Sequence, residues 1–155
     1  MESRSRFITI ALAIAAATGF ALAVQSAWWS VGEVVIGPYG ARHCFGGECR
    51  ESGIAWIGGS DLWMRSTVAS RAGGYITMFF LVVLGGAVAA KRIPRLAARG
   101  SIAAIVTAAA TGGYFAFAFP GIQGAELGRG IFLFVIAILS GLAAAILVLR
   151  SERLA

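Results

Sequence analysis

Both cysteines and the one histidine of this chain fall within residues 41–52, which read Ala-Arg-His-Cys-Phe-Gly-Gly-Glu-Cys-Arg-Glu-Ser. Three chemistries could use such a cluster. A metal centre could draw on His43, Cys44, Glu48 and Cys49, yet the paired pairs that mark zinc sites are missing and there is a single His. A thiol relay to quinone passes electrons between two cysteine pairs, whereas here the spacing is C-x4-C and no second pair exists. A structural disulfide needs only that the two thiols meet in an oxidising compartment. The disulfide is the reading carried forward, with no metal and no cofactor expected.

The residues between the cysteines support it. With Gly46-Gly47 as a two-residue hairpin turn, Phe45 and Glu48 flank the turn as a hydrogen-bonded pair. Cys44 and Cys49 are then the next, non-hydrogen-bonded pair, with Cα atoms about 4.5 Å apart, a separation a disulfide spans. The same register sets His43 opposite Arg50 and Arg42 opposite Glu51, an opposite-charge pair of the kind sheets favour. Closing so short a loop stabilises it by roughly 2 kcal/mol, enough for a hairpin but not for a domain.

The elements that must position this hairpin are almost all apolar. Of 155 residues 59% are hydrophobic and 13% charged, which excludes an ordinary soluble domain and points to an integral membrane protein. Four apolar segments, 7–27, 73–90, 101–119 and 130–149, each have the length of a helix crossing about 30 Å of hydrocarbon. The first has a rival reading: a basic start and Ala21-Leu-Ala23 resemble a secretory signal with its cleavage site. Its apolar run exceeds the usual signal core, so a retained helix is expected. Cleavage would instead leave three helices with the mature ends on opposite sides.

The net charge of +6 would in another chain suggest nucleic acid, but the basic residues flank the apolar runs and no nucleic acid partner is expected. Arg4 and Arg6 precede the first segment; Lys91, Arg92, Arg95 and Arg99 fill 91–100; Arg150 and Arg153 follow the fourth. In 28–72 four arginines are balanced by Glu33, Glu48, Glu51 and Asp61. By the positive-inside rule both termini and 91–100 are cytoplasmic, while 28–72 and the short loop 120–129 face outward, in a plasma (inner) membrane. The chain has no Asn, so Asn-linked glycosylation is excluded, and its Arg, Ala and Gly bias hints at a GC-rich bacterial genome.

Helices in lipid gain little from apolar contact with one another and approach through small residues. Ala11, Ala15, Gly19 and Ala23 form a four-residue ladder in the first segment, Ala104, Ala108, Gly112 and Ala116 one in the third, and Ala137, Gly141 and Ala145 one in the fourth. These are expected to pack the bundle internally; the alternative is that one of them serves a partner chain. No ionisable residue lies mid-membrane, which argues against an ion-coupled pump. Thr107, Thr111 and Tyr114 are the main polar groups there. The Gly-Gly pairs at 73, 85 and 112 are packing points, not phosphate loops, since none follows a strand in an α/β context.

The long outer loop is too apolar for a linker and reads as a folded cap. Residues 31–36 and 54–57 look like strands. Trp28 and Trp29 sit where the first helix leaves the bilayer, as interface anchors do; Trp56 and Trp63 are either loop core or partner contacts, and with Phe45 they are the candidate partner contacts. Glu126 is expected to favour the N-terminus of the last helix, with Arg129 a turn away to pair with it.

Four spans, a long first outer loop with Trp near its start and two cysteines, and a short second loop together resemble the claudin-like tetraspan family. The run 126–134, Glu-Leu-Gly-Arg-Gly-Ile-Phe-Leu-Phe, looks like the motif that opens the last helix of claudins, and Arg71 matches a basic residue common ahead of their second helix. The resemblance implies a distant member whose first outer loop builds an extracellular sheet, with lateral or head-on assembly and no catalysis. The expected fold is therefore a membrane all-α four-helix bundle with a small extracellular β-sheet. The expected function is non-enzymatic: adhesion, barrier formation or an accessory role, with lipid and itself or another membrane protein as partners. A membrane thiol/quinone oxidoreductase and a channel or transporter subunit are the alternatives.

Overall fold

The computed structural model describes residues 3–92 and 94–151, so Arg153 lies outside the described residues. Four helices, α1 (Ser3–Gln25), α2 (Asp61–Ala89), α3 (Arg95–Phe117) and α4 (Arg129–Ser151), are each long and apolar enough to cross a membrane. That is the pattern of a multi-pass membrane protein. α1 packs against α4 and α2, and α3 against α2 and α4, closing a ring of four.

The bundle interior mixes small residues with large ones such as Phe20, Leu81, Ile105 and Phe115, while its outer surface carries large apolar side chains. Ala13, Ala16, Ala108, Ala137, Ala144 and Gly141 are buried, while Phe79, Phe132, Ile136 and Leu139 are exposed on the outer surface. Such a surface suits lipid, and such a core lets backbones close. A Cβ on Gly19 would sit 2.9 Å from the Ala137 methyl, and one on Gly141 2.9 Å from Ile105 Cδ1. Several interior hydroxyls bond within their own helices: Thr9 donates to the Ser5 carbonyl at 2.9 Å, Thr77 to Gly73 at 2.8 Å and Ser101 to Ala97 at 2.8 Å.

One expected ladder lies only partly on the packing face: Gly19 abuts Ala137 and Ala23 is buried, but its first two residues point outward. Ala11 and Ala15 are exposed and Gly19 is half-buried; the buried stripe of α1 is Thr9, Ala13, Ala16, Ala17, Phe20 and Ala23. A step of four residues overshoots a full turn by about 40°, so a long four-residue ladder drifts off the contact face. In α3, Ala108 and Gly112 are buried and Ala104 and Ala116 half-buried; in α4, Ala137, Gly141 and Ala145 are all buried.

Over one end of the bundle lies a five-stranded antiparallel sheet of order β4-β3-β2-β1-β5. Its strands are β1 (Trp29–Val31), β2 (Val34–Gly37), β3 (Gly40–Phe45), β4 (Glu48–Ser52) and β5 (Glu126–Leu127). Residues 31–36, expected as one strand, are broken by a turn at Gly32-Glu33. Residues 54–57, also expected as a strand, hold a 3₁₀ turn over Ala55–Ile57. Glu126 is not on a helix: it pairs with Ser30 in the sheet, and α4 opens at Arg129. The Gly128 N–H then donates to the Trp28 carbonyl at 2.8 Å and the Gly130 N–H to the Ala27 carbonyl at 2.9 Å. Side chains at 128 or 130 would collide with Ala27 and Trp28.

α2 begins twelve residues before the apolar run expected at 73, so Arg65 and Arg71 belong to a helix and not to a loop. Its 29 residues make about 44 Å, longer than the roughly 30 Å that hydrocarbon spans. α3 likewise starts at Arg95, which shortens the connection expected over 91–100.

Candidate functional site

Hairpin β3–β4 has the register Phe45–Glu48, Cys44–Cys49, His43–Arg50 and Arg42–Glu51. Gly46 and Gly47 both have positive φ, 58° and 90°, as a type I′ turn requires and as side-chain-bearing residues resist. The Cys44 N–H points away from β4, donating to the Glu33 carbonyl at 2.8 Å. Cys44 and Cys49 are thus the closer, non-hydrogen-bonded pair, and they are joined by a disulfide with Cα atoms 4.0 Å apart.

Paired strand residues share a face, so the sheet presents two different surfaces. One carries Ser30, Val35, Arg42, Glu51 and the disulfide. With Gln25, Tyr39 and Arg129 it encloses a crevice of about 430 Å³. Arg42 Nη2 donates to Glu51 Oε1 at 3.1 Å. The side chains are 30% and 77% exposed, so the pair contributes at most about 1 kcal/mol. The Arg42 guanidinium also lies 4.1 Å from the Tyr39 ring centroid. Burial pushes the Tyr39 hydroxyl pKa above its ordinary value, and the Arg42 charge opposes that shift. Arg129, expected to pair with Glu126, makes no ion pair among the described residues; Arg42–Glu51 is the one found there. Gln25 donates to the Tyr75 hydroxyl, tying the end of α1 to α2.

The opposite face carries Trp29, Val31, Val34, Ile36, Ala41, His43 and Phe45. Near the bundle it is sealed by aromatics: Trp29 stacks on Phe119 at 4.4 Å and 8°, and Trp28 lies 4.9 Å from Phe134. Away from the bundle it opens outward. His43 lies 5.6 Å from Trp56, Phe45 at the tip is 76% exposed and Trp56 50%.

Trp63, grouped with those two as a partner contact from the sequence, belongs elsewhere. It is fully buried, stacked on Phe115 at 5.4 Å and 18°. Its indole N–H donates to the Phe115 carbonyl at 3.0 Å, a group in the last turn of α3 without a partner inside the helix. Trp28, expected as an interface anchor, does the same for α1: it is buried, and its N–H donates to the Ala23 carbonyl at 2.9 Å. Trp29 is buried as well. Three of the four tryptophans thus close the end of the bundle beneath the sheet, and two of them cap helix C-termini. Their position within a few residues of helix ends was the available signal.

No protein-family model matches the chain, and neither does any curated protein. Among the described residues, no group of three or more His, Cys, Asp or Glu could hold a metal ion, and no free cysteine remains to pass electrons from the Cys44–Cys49 pair. What this arrangement offers is a stapled hairpin with exposed Phe45 on one face, Trp56 of the following turn beside it, and a charged crevice on the other face.

Proposed function

We propose that the chain is a non-enzymatic, claudin-like integral membrane protein that acts through its outer cap in adhesion, barrier formation or as an accessory subunit. The observation that carries this reading is two exposed aromatics, Phe45 at the tip of a stapled hairpin and Trp56 on the turn beside its His43. Exposed aromatics on a pre-ordered surface are what protein contacts favour, because little conformational freedom is lost on binding. The sheet of the first outer loop, joined by a strand from the second, supports the family resemblance in kind.

The orientation belongs to the same proposal. Arg6, Lys91, Arg92, Arg99 and Arg150 lie at the bundle end opposite the sheet, so the positive-inside rule puts that end and both termini in the cytoplasm of a plasma (inner) membrane. The disulfide then faces an oxidising space, where it persists.

A photo-crosslinking amino acid placed at 45 or 56 in the native membrane tests the reading, with the outward-facing Leu139 of α4 as the lipid-side control. The cap positions should give protein adducts, to a second copy or to one neighbour, and Leu139 should not. A cap that yields no protein adduct from either position refutes the proposal.

A further inference from the structure

The bundle end opposite the sheet holds a cavity of about 180 Å³ that the reading above does not use. Arg6 of α1 and Lys91 and Arg92 of the α2–α3 connection border it, over a wall of Val88 and Val148. Among the described residues none of these three cations is in an ion pair, and no carboxylate lines the cavity. Solvated topology charges need only lie near the surface; these three come from two segments far apart in sequence and converge on one recess.

The backbone holds one of them there against its own preference. The Lys91 N–H donates to the Val88 carbonyl at 3.1 Å and the Arg92 N–H to the Ala87 carbonyl at 3.0 Å. That is the two-bond closure that usually puts glycine in the left-handed position after a helix. Here the position is filled by Lys91, with φ 58°, the one positive-φ residue other than glycine among those described. A glycine would close α2 without strain and without a charge.

Beside the cavity an apolar groove of about 350 Å³ runs between α1 and α2 on the bundle's outer surface. Ile10 and Ile14 line one side, Val82, Gly85 and Gly86 the other. Arg6 is one helical turn before Ile10 on the same stripe. At the far wall Ala89, which lines the groove, adjoins Val88, which lines the cavity. A Cβ on Gly86 would meet nothing within 4 Å, so the groove is open for want of side chains.

We propose that the recess and groove together form a binding site for one anionic phospholipid. The phosphate lies among Arg6, Lys91 and Arg92, and an acyl chain lies along Gly85 and Gly86. Charge complementarity selects the anion, and the groove selects a lipid over free phosphate. A partner helix could fill the groove but would leave three converging cations unanswered. The proposal rests on reading the four helices as membrane-spanning.

The protein purified in mild detergent is titrated with phosphatidylglycerol or phosphatidylcholine and observed by native mass spectrometry. Wild type should retain one phosphatidylglycerol and little phosphatidylcholine. Lys91→Gly keeps the helix closure and relieves its strain, so a folding defect cannot explain its loss of lipid, expected to be roughly fivefold per cation removed. Arg92→Gln should act alike, and Gly86→Leu should weaken phosphatidylglycerol retention by filling the groove. Equal retention of the two lipids, or full retention by Lys91→Gly, overturns the proposal. Inorganic phosphate that displaces the lipid fully, with Gly86→Leu silent, also overturns it, since the site would then serve a soluble anion. The membrane reading fails separately, if the protein is released from membranes by alkaline carbonate.

Discussion

Replacing Trp63 by Phe isolates the role of a single N–H. The ring stays stacked on Phe115, but the bond to the Phe115 carbonyl at 3.0 Å disappears. Phe115 is fully buried, so its carbonyl loses its partner without gaining water, at a cost of about 1–3 kcal/mol. Trp63→Ala removes the packing too and should cost about 3–5 kcal/mol. Trp56→Ala, at a half-exposed site, should stay within about 0.5 kcal/mol. Reversible unfolding in mixed micelles, followed by far-UV helicity, gives the three differences. The order expected is Trp63→Ala, then Trp63→Phe, then Trp56→Ala. A Trp63→Phe protein as stable as wild type would show that the indole N–H does not cap α3. A Trp56→Ala protein as damaged as Trp63→Ala would overturn the division between structural and recognition tryptophans.

Adjacent glycines of α3 should respond with opposite sign to alanine. Gly112→Ala drives a Cβ to 2.5 Å from Phe134 Cζ and should cost about 1–3 kcal/mol, while Gly113→Ala meets nothing within 4 Å and should gain about 0.5–1 kcal/mol; thermal denaturation in detergent compares them. Reducing the Cys44–Cys49 bridge should cost the hairpin roughly 2 kcal/mol and speed amide exchange across β3 and β4, with α1 to α4 unaffected. Tyr39 has a folded pKa above its unfolded value near 10, so its contribution is present below pH 10 and lost as pH rises through the folded pKa; Tyr39→Phe should abolish that alkaline loss in a pH series of cap exchange rates. Ser70 has a buried hydroxyl without a hydrogen-bond partner among the described residues, so Ser70→Ala should leave the unfolding midpoint unchanged or raise it.

The hairpin was legible because every rule bearing on it is local. Gly46-Gly47 dictates the turn, the turn dictates the register, and the register brings the cysteines and the Arg42–Glu51 pair together. The four apolar runs were legible because the hydrocarbon layer imposes length and composition at once. α2 was misjudged at its start because hydropathy marks where a helix enters lipid, not where it begins. The beginning was written in other residues: the Ser60 hydroxyl accepts from the Trp63 N–H at 3.2 Å, and Asp61 follows in the first turn, an N-cap with an acid beside it. The first half of the inward face of α1, at Ala11 and Ala15, was misplaced because spacing by four only approximates the helical repeat. The burial of Trp28, Trp29 and Trp63 was not legible from composition, since an exposed anchor and a buried cap use the same residue. β5 is two residues long and exists only because β1 is there to pair with it.

The bonds from Gly128 and Gly130 to the backbone between α1 and β1 leave no swivel where the sheet meets the membrane. The Trp28 N–H is held at the same place by the Ile36 carbonyl, at 2.7 Å. The cap is therefore a rigid pointer fixed to α1 and α4. With β3 about 20 Å long, a lean of about 10° in those helices carries the hairpin tip roughly 3 Å sideways. Whatever alters the lean of α1 and α4 thus also alters where Phe45 points.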